Sequence, residues 1–422
     1  MSTGRSNRRI SRRTLLNAAA KWGGLAATAW FLEACARAGG MTPTQTTSPA
    51  QTLTPSATTA PSPTSQASPT ASLGPTATSE PTYTPSLTPS PYPTNTPIPS
   101  STPQPTMTPA PSPTIAAQAD TVSVAFVRTN DRAAGVRQAL QLLGINPVGG
   151  KQVFLKPNFN SDDPAPGSTH PDTLRTVIEE LWALGARTIT VGDRSGMGDT
   201  RRVMENLGVL ELAEELGFET LVLNELNEKK DWAFIQPHES HWQKGFPFAR
   251  AYLEAEALVQ TCNLKTHQFG GHFTMSLKNS VGLVNKEMPG MSEGFMNELH
   301  SSRYQREMIA EINTAYTPVL IILDGVQAFT SGGPATGRLV APEVVLAGTD
   351  RVAIDAVGVA LLRYFGTTPQ VAQGSVFQQA QIARAVELGL GVDGPDKIQL
   401  VTGDAASESY AAQIREVLLA PA

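Results

Sequence analysis

The stretch from Gly40 to Gln118 sets the first limit on what this chain can fold into. Its 79 residues hold 19 prolines, 33 serines and threonines, and a single charge, Glu80. Such a segment has too little apolar surface to offset the entropy of ordering it, so no packed core forms there. Proline density favours extended polyproline II, which at about 3.1 Å per residue reaches roughly 240 Å when fully drawn out. The hydroxyl density also suits O-glycosylation. Residues 36–118 therefore read as a disordered Ser/Thr/Pro linker, and residues 119–422 as the folded domain, long enough for one large or two modest cores. With Cys35 and Cys262 as the only cysteines, a disulfide scaffold, a four-cysteine zinc site and a ferredoxin-type iron–sulfur module are all excluded.

The ends of the linker differ in charge. Residues 1–39 carry seven basic side chains against Glu33, whereas residues 119–422 carry 25 basic and 35 acidic side chains, a net of −10. An acidic domain without a basic run or interleaved aromatics argues against nucleic acid as a partner. The basic N-terminus has another explanation, because Ser11-Arg12-Arg13-Thr14-Leu15-Leu16 resembles the twin-arginine export consensus, with Leu15 where Phe is usual. The weakly apolar run from Trp22 to Ala34 has the length of a signal core and is short for a membrane span. Residues 1–35 thus read as a twin-arginine signal peptide. Two exits fit the residues. Leu32-Glu33-Ala34-Cys35 resembles a lipobox, which makes Cys35 the lipidation site and the lipid anchor the contact with the membrane. Ala34-Cys35-Ala36 equally resembles a small-x-small cleavage site followed by release. A long stalk directly after the cysteine favours the anchor, and with it a location in the cell envelope outside the cytoplasmic membrane.

From Thr121 onward, short apolar runs alternate with helical periods. Strands are expected at Thr121–Arg128, Val153–Leu155, Thr188–Val191, Thr220–Leu223, Ala257–Gln260, Val319–Leu323 and Val344–Ala347, with helices opening at Asp131 and Pro171. The alternation predicts an α/β fold: a mostly parallel, Rossmann-like sheet with helices on both faces. Asn224–Phe248, rich in charge, Trp and Pro, reads as a small insertion, and Lys286–Ser302 as a long loop that could serve as a lid.

In open parallel sheets, ligands bind beyond the carboxyl ends of the strands. The residues there are Lys156-Pro157-Asn158, Gly192-Asp193, Cys262 to His267, Asp324-Gly325 and Thr349-Asp350. Of these, Lys156-Pro157-Asn158, Gly192-Asp193 and Asp350, together with Thr169-His170-Pro171, Lys265-Thr266-His267, Thr274 to Lys278-Asn279 and Ala353 to Asp355, resemble the domain-of-unknown-function 362 family of prokaryotes. The resemblance spans roughly Val124 to Leu390 and rests most on the two lysine blocks. It implies the α/β fold and a site at these residues. Some relatives carry ferredoxin-type clusters, for which this chain lacks the cysteines.

Lys156, Lys265 and Lys278 suit a carboxylate or phosphate, and a partly desolvated lysine can also act as a base or Schiff-base nucleophile. Lys156, Lys265, His170 and His267 are the candidate catalytic groups, and Asn158, Asp193, Lys278, Asn279, Asp324 and Asp350 the candidate ligand-binding groups. His267 and His272, with Cys262, could ligate a metal, although their spacing matches no zinc signature. His170 could equally cap the helix at Pro171, and Asp350 the helix after it. Three functions fit these residues: an enzyme acting on an anionic small molecule, a cell-surface protein binding an anion or a metal-bearing ligand, and a cell-envelope assembly factor.

Overall fold

The computed structural model describes residues 121–286 and 294–421. The expected signal peptide, Cys35 and the expected linker lie outside the described residues. Among the described residues, no helix is long and apolar enough to cross a membrane.

The strands in chain order are β1 (Val122–Arg128), β2 (Gln152–Lys156), β3 (Thr188–Asp193), β4 (Glu219–Val222), β5 (Trp232–Ile235) and β6 (Phe246–Ala249). They continue with β7 (Ala257–His267), β8 (His272–Thr274), β9 (Leu320–Gly332), β10 (Gly337–Val340), β11 (Val344–Gly348) and β12 (Ile398–Val401). Ten of them form one sheet, ordered β12-β1-β11-β9-β7-β2-β3-β4, with β8 added to β7 and β10 to β9. Pairing is parallel from β9 through β4 and between β12 and β1, while β11 runs against both of its neighbours. The fold is α/β, with a mixed and mostly parallel sheet.

Alternation along the central strands explains the layers. Val124 and Phe126 face a core closed by the helices Arg351–Tyr364 and Ala405–Leu419, while Ala125 and Val127 face a core closed by Arg132–Leu143 and Pro171–Ala183. The same in–out division holds for Ile321 and Leu323 against Leu320 and Ile322. With both sheet faces covered, apolar residues fill successive positions, as parallel strands require. Asp131 caps its helix by accepting from Ala134 N, and Gly144 ends it in the left-handed conformation.

Two expected boundaries need correction. β7 does not stop at Gln260 but continues to His267, and β9 continues to Gly332. Polar residues interrupt the hydrophobic signal there, yet all eleven residues of β7 are buried and its ladder to β9 persists. Lys265 and Asp324 therefore lie within strands rather than in loops beyond them. The region Lys286–Ser302 is also not all loop, since Phe295–Ser301 is helical.

The insertion forms a β5–β6 hairpin over an aromatic core that includes Trp232, Trp242, Phe246 and Phe248. Glu311, fully buried, ties this subdomain to the main body. One of its oxygens accepts from Ser240 Oγ at 2.8 Å and His241 N at 2.9 Å, and the other accepts from Arg384 Nε at 3.1 Å and lies 2.7 Å from His241 Nδ1. Removing this buried carboxylate leaves the Ser240 and His241 donors without it, while Arg384 keeps Glu387 at 3.0 Å and Glu239 O at 2.7 Å. Glu311→Ala is expected to cost about 3–5 kcal/mol in urea unfolding, with a loss under about 1 kcal/mol arguing against the tether.

Candidate functional site

β2 and β3 end side by side at Lys156 and Asp193, and the two side chains form a buried ion pair at 2.8 Å. Lys156 spends its other protons on Pro157 O at 2.6 Å and Asn279 Oδ1 at 3.0 Å. Asp193 in turn accepts from Phe159 N at 2.7 Å and Arg194 N at 2.6 Å. Burial draws the Lys156 pKa down, opposed by the Asp193 charge. Every proton of this ammonium is committed, so Lys156 organises the site rather than offering it a free donor.

Lys265 reaches the same cleft from β7. It is wholly buried and donates to Asn158 Oδ1 at 2.7 Å, Pro166 O at 2.8 Å and Gly167 O. No carboxylate pairs with it among the described residues. Burial, reinforced by the nearby Lys278 charge, pushes its pKa down to about 7. Arg194 is held in the same manner, with its guanidinium on the carbonyls of Val284 at 2.7 Å, Ser195 at 3.1 Å and Val281 at 2.7 Å. Burial pushes it down to about 10.

Lys278 differs from all three. It sits on the short helix Ser276–Asn279, whose first N–H groups, Ser276 N and Leu277 N, donate to the buried carboxylate of Asp355. Its ammonium has no hydrogen-bond or ion-pair partner among the described residues. Burial, then the charge of Arg194, push it down to about 8. Asn160 Nδ2 and Thr274 Oγ1, which line the same cleft, are buried without partners.

The cleft thus gathers Lys156, Arg194, Lys265 and Lys278 around one carboxylate, Asp193, in a space of about 50 Å³. A water molecule needs roughly 10–15 Å³ by the same measure, so a few waters or one compact oxyanion would fill it. Asn158 and Asn279 also line it. Asn279 is saturated, receiving Lys156 and donating to Lys156 O at 3.2 Å and Thr261 O at 3.1 Å. Glycine keeps the walls close. A Cβ at Gly282 would collide with Asp193 Oδ1 and lie 2.9 Å from Lys156 Nζ.

Other expected residues lie elsewhere. His170 caps the helix Pro171–Ala183, its Nδ1 accepting from Asp172 N at 3.1 Å. Asp324 accepts from Arg132 Nε and Thr173 Oγ1, both at 2.8 Å. Asp350 caps the helix Arg351–Tyr364 through Ala353 N at 2.8 Å and also receives Val392 N at 2.9 Å. Because β11 is antiparallel to β9, its carboxyl end lies at the opposite sheet edge from Lys156, which takes Asp350 away from the cleft. His267 and His272 face each other across the β7–β8 pairing and line an adjacent cavity. Among the described residues no group of three or more His, Cys, Asp or Glu is placed to hold a metal. Cys262 is a buried thiol, pushed well above its ordinary pKa by burial.

Three contributors went unassigned in the sequence. Thr274 lies in a motif that drew attention only to its lysine and asparagine. Asn160 is two residues past Asn158 in an extended segment, a spacing that returns a side chain to the same side. Arg194 follows Asp193 directly and gave no separate signal.

Comparison with known proteins gives a family match, a sequence relative and a structural neighbour. Residues 153–360 match a family described as "Domain of unknown function (DUF362)". That span contains every residue of the cleft. The Thylakoid-associated protein sll1697 of Synechocystis sp. (strain ATCC 27184 / PCC 6803 / Kazusa) is 26% identical over 246 residues, 55% of this chain and 72% of that protein. The lactate racemase apoprotein from Thermoanaerobacterium thermosaccharolyticum gives a TM-score of 0.37 at 15% identity, with 54% of each chain covered, so the match spans about half of that structure.

The two kinds of lysine should separate in stability measurements. Asp193→Ala leaves Lys156 buried without its counter-charge and is expected to cost about 3–5 kcal/mol. Lys278→Met removes an unpaired cation and should leave the urea midpoint unchanged or raised. A large destabilisation by Lys278→Met would show a structural role instead.

Proposed function

We propose that the folded part is a DUF362 domain that binds a small anionic molecule, carboxylate or phosphate, at the Lys278 end of the cleft. The observation behind this reading is the set of unsatisfied donors. Lys278, Asn160 and Thr274 line one small space; Asn160 Nδ2 and Thr274 Oγ1 are buried without partners, and Lys278 Nζ has no partner among the described residues. Buried donors without acceptors are costly, and an oxyanion would satisfy all three at once while balancing the surplus charge. Lysines drawn down to about 7 and about 8 can also exchange protons near neutrality, which supports an enzyme acting on that anion, with Lys265 or Lys278 as the proton-transfer group. A binding protein is the second reading, favoured by the full commitment of the Lys156 and Lys265 protons to fixed acceptors.

Calorimetry with sulfate, a dianion across the whole working range, tests the site. Lys278 is depressed from its ordinary value, so it is charged below about pH 8 and loses that charge above it. Lys265 follows the same sign at about 7. Sulfate affinity should therefore fall as pH rises from 6.5 to 9.5. Lys278→Met should weaken it by about tenfold or more at pH 6.5. A variant that binds sulfate like the parent chain would remove the basis of the proposal.

The same reading places the domain outside the cytoplasmic membrane, tethered through Cys35 on the Ser/Thr/Pro stalk. The arginine pair, the apolar run and the position of Cys35 support it, and a relative described as thylakoid-associated is in keeping with a membrane-side setting. Mass spectrometry of the mature chain should find a diacylated Cys35 at the N-terminus, and Arg12→Lys with Arg13→Lys should hold the precursor in the cytoplasm. A mature N-terminus at Arg37 would show cleavage and release instead.

A further inference from the structure

Resting on the anion-site reading, we propose that the bound oxyanion carries a neutral, hydroxyl-rich body, as in a sugar phosphate or sugar acid, lodged in the adjoining cavity beside the β7–β8 ribbon.

Strand register supplies the continuity. Lys265 pairs with Thr274 and His267 with His272, so these two cross-strand rungs lie on one face of the ribbon. Two residues along a strand advance about 7 Å. The first rung lines the anion cleft and the second lines a cavity of about 290 Å³. On the facing wall, Pro334 lines the cleft and Gly332 the cavity. Between the two spaces stands Gly271, where a Cβ would lie 2.8 Å from Lys278 Cε and 3.1 Å from His267 Nδ1. A side chain at 271 would press on a residue of each lining, Lys278 of the cleft and His267 of the cavity.

The second cavity is lined by polar groups without formal charge: Thr266, Gln268, Thr368 and Gln370 beside the two histidines. Burial drives His267 well below its ordinary pKa and lowers that of His272, so both rings are neutral at pH 7. Hydroxyl, amide and neutral imidazole groups each donate and accept, which suits hydroxyls and offers nothing to a second charge. His267 Nδ1 is buried without a partner. His272 is also held at φ 59°, a left-handed conformation that costs a non-glycine residue stability. Retaining an imidazole there, where glycine would relax the backbone, points to use of the side chain.

The test titrates the full chain by calorimetry at pH 7 with inorganic phosphate, glucose 6-phosphate, acetate and D-gluconate. At least one hydroxylated probe should bind about tenfold more tightly than its bare head group, the scale of two or three hydrogen-bonded hydroxyls. His272→Gly, which relieves the strained backbone, and Gln370→Ala should each erase most of that advantage. Neither should shift the affinity for phosphate or acetate. Equal affinity for head group and hydroxylated probe in the parent chain, or an advantage that survives both variants, would overturn this inference and leave the anion site standing. Failure of all four probes, or binding indifferent to Lys278→Met, would overturn the anion site and this extension with it.

Discussion

The ion pair between Lys156 and Asp193 holds together the part of the molecule on which the rest of the cleft is assembled. It joins the carboxyl ends of two adjacent parallel strands. Through the remaining bonds of Asp193 it also fixes the backbone of Phe159 and Arg194, where the chain leaves each strand. Asp193 can neutralise only one of the four cations beside it. Around two of the others carbonyl dipoles stand in for counter-ions, three carbonyls at Arg194 and three carbonyl-type oxygens at Lys265. Dipoles stabilise an ammonium without cancelling its field. The surplus positive potential is left for whatever enters the cleft, although the folded part as a whole is acidic.

This division of labour separates residues that the sequence presents as equals. Lys156, Lys265 and Lys278 each stand within two residues of an asparagine or a threonine, and nothing in composition ranks them. Packing does. Lys156 has a carboxylate and two oxygen acceptors, Lys265 has three oxygen acceptors, and Lys278 has none among the described residues. The first two set the shape and field of the site. The third has the capacity to bind still unspent, and it is placed by Asp355, a carboxylate buried in another helix and pushed up to about 7 by burial.

Legibility follows the same physical line. β1, β2 and β3 centre on apolar residues buried on both faces, and the sequence places them to within two residues because that burial is written in their central positions. The carboxyl halves of β7 and β9 escaped that reading. Gln260, Asn263 and Lys265 are buried through specific partners such as Tyr316 Oη, Ser168 O and Asn158 Oδ1. Polarity in the sequence suggests a loop, and only tertiary pairing reveals a strand. The direction of β11 was hidden for a different reason. An apolar run does not say which way it points, so treating Asp350 like Asp193 presumed a parallel neighbour that the short β9–β10–β11 connections do not provide. Lys156, Asn158, Asp193, Lys265, Lys278 and Asn279 do converge, because their strands are the parallel ones or, for Lys278 and Asn279, follow at once from the β8 hairpin strand.

What the cleft selects is then a question of size and of charge together. A broad cationic surface would attract any polyanion, but here the charge lies behind walls that leave about 50 Å³. Glycines at 196 and 282 permit that closeness, since a Cβ at either would run into Asn160 Oδ1 or Asp193 Oδ1. A single oxyanion group, as proposed for this site, fits the charge and the space. Discrimination among small anions must therefore come from outside the head-group site. The next rung of the same ribbon lines a cavity that is polar without formal charge, which is the basis for proposing that hydroxyl groups are read there.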